Sequence, residues 1–152
     1  MLSLLAMLRA SSSRRLPKDH TVRDSTVRSC FSQLTSGVGV SGEYVRQDIT
    51  DGNPGVPLTF DVQVIDTTTC ELIPQVALEA WHCNSTGVYG GVVANGNGNT
   101  ADASNINNTM YRGIQFSNEN GILQFDTSFP GHYTGRTTHI HGKPAPRHLS
   151  SY

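Results

Sequence analysis

Charge is scarce in this chain and evenly split. Eleven basic and twelve acidic residues among 152 leave a formal net charge of −1. A nucleic acid or an anionic membrane is held by a basic surface, and this composition offers none. Apolar runs are also short, and none reaches the length of a bilayer-spanning helix. Cysteine is limited to Cys30, Cys70 and Cys83, with no C-x-x-C pair, which removes a zinc ribbon. No internal repeat occurs, and no long stretch carries apolar residues at helical spacing.

Valine, threonine, glycine and asparagine are plentiful instead. Those residues favour strands and turns, so the composition predicts an all-β domain. The length suffices for one compact domain with its own core. Residues 1–36 are expected to be poorly ordered or weakly helical. Their apolar Leu2–Leu8 stretch has no basic residue in front and arginines behind, the reverse of a secretory leader. A mitochondrial-type leader and a mis-predicted gene start are the alternatives. The folded domain is expected over residues 37–142, with an irregular tail at 143–152.

Within that domain LTFDVQVID alternates cleanly. Leu58, Phe60, Val62 and Val64 fall on one face, with Thr59, Asp61 and Gln63 on the other, the pattern of a half-buried strand. VALEAWHC, TMYRGIQF and GILQFDT read as further strands, and RTTHIHG as the last. Residues 94–109 are too rich in asparagine and glycine to supply core and read as a surface loop. Arg112 and Gly113 are read as shaping a strand turn. Short strands with frequent turns predict a β-sandwich. Cys70 and Cys83 flank a strand and could pair, or both could be buried free thiols. Asn84 and Asn107 each open a glycosylation triplet, which tilts the setting towards the extracellular side.

The densest chemistry lies in PGHYTGRTTHIHG, residues 130–142. On a strand His139 and His141 would share a face, about 7 Å apart, and could grip one ion. Either could equally be an ordinary hydrogen-bonding histidine. Two tyrosines strengthen the metal reading. Tyr133 follows a Pro-Gly turn, and Tyr89 sits among glycines in STGVYGG, where a phenol can reach into a mouth. A phenol ionises near pH 10, so only a strong Lewis acid holds it as phenolate at neutral pH. Two phenolates and two imidazoles make a hard donor set that suits ferric iron better than zinc. Trp81 is read as core or pocket wall. His82 faces the other side and His132 is a turn residue, so neither is a ligand. His20 and His148 lie in the two ends.

WHCNSTGVYGG, MYRGIQFSNENGILQFDTSFPGHYTGRTTHIH and VPLTFDVQVIDTTTCELIP together resemble the intradiol ring-cleavage dioxygenases. The likeness is nearest to the fungal secreted branch and runs from about Gly37 to His141. It rests on an aromatic-bearing strand before the first tyrosine, an RG strand, PG-x-Y and R-x-x-H-x-H, in that order. The resemblance implies a transthyretin-like or immunoglobulin-like β-sandwich around one mononuclear non-haem Fe(3+). Its four ligands would be Tyr89, Tyr133, His139 and His141. It also implies that Tyr133 leaves the metal and accepts a substrate proton, and that Arg136 stabilises negative charge on the ring. The partners would be a small aromatic diol and O2, the product a muconate-type diacid, and the location extracellular. Family members carry strands beyond the histidines, where this chain has KPAPRHLSSY, so the sandwich is expected to lack its C-terminal strands. A second reading is therefore a truncated sandwich that binds metal or aromatic compounds without turnover. A third is a cupin, suggested by Gly135 through HIH. The glutamate a cupin requires is missing from GKPAPR, and the tyrosines have no place there.

Overall fold

The computed structural model describes Leu4–Leu8 and Val27–Phe31 as backbone, and residues 44–66, 68–98 and 102–144 in full. The all-β expectation holds, with one 3-10 turn at Ala103–Asn107 as the only helical element among the described residues. Strands β1 (Leu4–Leu8) and β2 (Val27–Phe31) pair antiparallel. They occupy the segment expected to be irregular or weakly helical. Five apolar residues are too few to nucleate a helix alone, whereas strand pairing satisfies their backbone directly. His20 and His148 lie outside the described residues, as does the tail from residue 145.

The alternation in β3 (Pro57–Gln63) is the observed one: Leu58, Phe60 and Val62 are buried. β3 pairs antiparallel with β6 (Ile122–Ser128), which places Phe60 opposite Phe125. Their rings stack at 5.1 Å between centroids. The second sheet has the order β5-β4-β7, built from Arg112–Phe116, Ala77–Trp81 and His141–Pro144. One apolar cluster joins the two sheets. It takes Phe60, Val62 and Phe125 from the first, Leu78 and Ala80 from β4, and Ile49 from the segment before β3. Alternation along β4 then turns Glu79 and Trp81 to the opposite face. That division of labour positions the site: one face of β4 is core, and the other carries Trp81.

Three local expectations are corrected. RTTHIHG is not a strand; pairing begins only at His141, opposite Trp81. In that register residues 136–140 would need partners beyond Trp81, where β4 has ended and His82 donates instead to the Tyr111 carbonyl. Lys143 and Pro144, expected in the irregular tail, belong to β7. Arg112 and Gly113 form no turn; they open β5. Cys70 is exposed, Cys83 is buried, and both are free.

His82, directly after β4, pins this region. It is 1% exposed. Its Nδ1 lies 2.7 Å from the Cys83 carbonyl, which can only accept, so Nδ1 carries the proton. Nε2 then accepts from the Thr127 hydroxyl on β6, 2.7 Å away. The ring also packs on Tyr111, whose phenol accepts from Ser128 at 3.0 Å. Burial lowers the His82 pKa from 6.5 to about 4. The unfolded chain therefore binds a proton near pH 6.5 that the folded chain refuses until about pH 4. The stability this contributes is complete above pH 6.5 and drains away between those two values. Urea denaturation should show a falling midpoint from pH 7 to pH 5. A His82→Gln chain should lose part of that slope, with the remainder due to His141, which is shifted in the same direction.

Candidate metal centre

Four side chains meet at the end of the second sheet. The Tyr89 hydroxyl lies 3.3 Å from the Tyr133 hydroxyl, 3.2 Å from His139 Nε2 and 3.1 Å from His141 Nε2. Tyr133 Oη lies 3.1 Å from His139 Nε2. The two imidazoles are not side by side on one strand face. Their centroids are 4.8 Å apart and their planes cross at 83°, because His139 sits in the irregular segment and only His141 is in β7.

Two turns deliver the phenols. After His82 the chain folds around Asn84, whose side-chain oxygen accepts from the Thr86 amide and hydroxyl and from the Val88 amide. Gly131 donates to the Asn84 carbonyl at 2.9 Å, locking the Tyr133 turn onto the Tyr89 turn. Neither contact tolerates a side chain. A Cβ at Gly131 would lie 2.4 Å from the Ser85 carbonyl oxygen, and one at Gly87 would lie 2.6 Å from that of His132. Gly87 also has φ +86°.

The loop expected to be plain surface holds Tyr89 in place. Asn97 Oδ1 accepts from the Tyr89 amide at 2.8 Å, and its Nδ2 donates to the carbonyls of Tyr89 and Val92. Buried Asn105, in the 3-10 turn, donates to the same two carbonyls at 2.8 and 2.7 Å. Sequence reading missed both residues, since asparagine density signals solvent and backbone capping alike.

The donor set fits a metal ion. Atoms 3.1–3.3 Å apart are spaced like the corners of a coordination polyhedron with bonds of about 2 Å. His139 Nδ1 is 2.5 Å from the Thr137 carbonyl, so it holds the proton and leaves the Nε2 lone pair facing the cluster. Burial lowers the His141 pKa to about 4, helped by His139 and then by Arg136 and Arg112, so this imidazole is neutral at physiological pH. Burial pushes the Tyr89 phenol well above its ordinary range, reinforced by its hydrogen bond to Tyr133. An ionised Tyr89 here needs a strong cation beside it. No group of three or more His, Cys, Asp or Glu side chains suited to a metal occurs among the described residues. Half of this donor set is phenolic.

Arg136 stands apart from the four. It is exposed, its backbone amide donates to the Tyr133 carbonyl at 2.9 Å, and its guanidinium makes no hydrogen bond to the cluster among the described residues. It lines an open cavity of about 630 Å³ with His132, Tyr133, Thr134, Gly135 and Thr137. The cavity therefore opens beside Tyr133.

No family model matches the chain. No curated protein matches it either. Solved structures do. An intradiol ring-cleavage dioxygenase from Tetranychus urticae is 31% identical, over 68% of this chain and 51% of that one, with a TM-score of 0.57. The dioxygenase domain of a dioxygenase–carbohydrate-binding fusion from Streptomyces sp. SirexAA-E is 29% identical, over 72% of this chain and 62% of that one, with a TM-score of 0.55. This chain thus spans about half the length of the first and under two thirds of the second. It resembles intradiol ring-cleavage dioxygenases in three dimensions as it does in sequence.

The asparagine clamp gives a direct test. Asn105→Ala should lower unfolding free energy by about 1–2 kcal/mol, since two carbonyls lose a buried donor but keep Asn97. Unchanged urea denaturation would show that Asn105 does not hold the Tyr89 loop.

Proposed function

We propose that this chain is an intradiol ring-cleavage dioxygenase, with Tyr89, Tyr133, His139 and His141 as the ligands of one non-haem ferric ion. The observation that carries the proposal is the convergence of two phenol oxygens and two imidazole nitrogens, with the Tyr89 oxygen 3.1–3.3 Å from each of the other three and Tyr133 3.1 Å from His139. The substrate is a small aromatic diol. Both atoms of O2 enter it and the bond between its two hydroxyl-bearing carbons breaks, so catechol plus O2 balances to a muconic acid. When bound, the ferric ion supplies the Lewis acidity that ionises phenols and opens the diol to reaction with dioxygen.

The chain's own residues account for the remainder. The open cavity bordered by Tyr133 is large enough for a flat ring and is assigned to the substrate. Tyr133 borders both the cavity and the other donors, which supports a role as acceptor of a proton from an incoming hydroxyl. Half-buried Tyr89 lines no part of that cavity and keeps its role as a ligand. Arg136, on the same cavity wall, offers a positive charge to the ring as negative charge develops there. The likeness to secreted family members supports an extracellular location.

The exposed position of Arg136, with no hydrogen bond from its guanidinium to the four donors among the described residues, also favours a second reading, in which the chain holds iron without turning substrate over. One experiment separates the two. Ferric iron is added to the purified chain, the visible spectrum is recorded, and catechol is added under air. The enzyme reading predicts a tyrosinate-to-iron absorption band followed by muconate. The band without muconate supports the second reading, and no band contradicts both. Arg136→Ala should keep the band and slow ring cleavage roughly 100- to 1,000-fold, as for one lost charge-stabilising donor.

A further inference from the structure

The two histidines of the cluster are oriented by different means. His139 has the usual device, a hydrogen bond from Nδ1 to a backbone carbonyl. His141 has no such bond from Nδ1 to protein among the described residues. Its ring lies instead flat on Trp81, at 4.8 Å between centroids and 7° between planes. Cross-strand register explains the stack. Trp81 is the direct partner of His141 on one side and of Arg112 on the other. Directly paired residues project from the same face of a sheet, so the three side chains form one row across β5, β4 and β7.

The row is anchored at its far end. The Arg112 guanidinium carbon lies 5.8 Å from the Trp81 ring centre, within cation–π range. Arg112 Nη1 donates to Glu79 at 3.3 Å, and Glu79 is 6% exposed. A buried carboxylate thus fixes the guanidinium, the guanidinium lies over the indole, and the indole lies against the imidazole.

We propose that Trp81 is a positioning residue for His141, its flat face holding the imidazole plane so that Nε2 points at the Tyr89 hydroxyl. Indole stacking here replaces the hydrogen bond that orients His139. The consequence for iron rests on the function proposed above; the consequence for ring orientation does not.

The test compares Trp81→Leu, which removes the flat face, with Trp81→Phe, which keeps one. In metal-free full chain, NMR should show the wild-type His141 ring ordered and in contact with the Tyr89 ring. The phenylalanine chain should retain both features. The leucine chain should lose them while His139 stays ordered. With ferric iron in competition with a chelator, the leucine chain should bind about 10- to 100-fold more weakly, the usual cost of losing an outer-shell support. Trp81→Met provides the same comparison should the leucine chain not fold. An ordered His141 still touching Tyr89 without the flat face would overturn the proposal. Failure of wild-type protein to bind iron, with the ring behaviour as expected, would overturn the iron assignment and leave the stack standing.

Discussion

The pairing of His141 with Trp81 determines the rest of the site. It fixes where β7 begins, and therefore which residues before it are free of the sheet. Because β4 stops at Trp81, the chain from Arg136 to Ile140 has no strand to pair with. It is released to turn, and His139 swings across His141 rather than lying beside it. A continuous strand would have kept the two imidazoles about 7 Å apart and parallel in direction. Ending β4 one residue earlier would leave His141 in the loop, and slipping the β4–β7 register by one residue would turn it to the core face.

The phenols depend on a different kind of constraint, close approach of backbone. The Tyr89 and Tyr133 turns touch through Gly87 and Gly131, and the bond from Gly131 to the Asn84 carbonyl ties them. Asn97 and Asn105 then grip the backbone of Tyr89 from outside. Loops hold polar backbone that needs partners, and here asparagine amides provide them. The result is a loop hydrogen-bonded at both the amide and the carbonyl of Tyr89, bearing a phenol whose burial opposes ionisation. Such a group is inert alone and becomes a ligand only for a highly charged ion.

Much of this was legible in the residues. The alternation of Leu58, Phe60 and Val62 predicts β3 because one buried face leaves a period of two in the sequence. The spacing of Tyr89, Tyr133, His139 and His141 is visible as motif, since those residue types are chemically distinctive. The strand through RTTHIHG was not legible correctly, because its extent is set by where a partner 60 residues earlier stops. The clamp by Asn97 and Asn105 was hidden too. A buried capping asparagine and a solvated one look alike until the fold shows which carbonyl lies beneath.

The account requires four side chains from two loops and one strand to act as a single donor set. X-ray absorption at the iron edge of the ferric-loaded full chain tests that most directly. The prediction is a nearest shell of oxygen and nitrogen only, with an imidazole signature that weakens in His141→Ala. A sulfur neighbour, or a shell without imidazole, would contradict it.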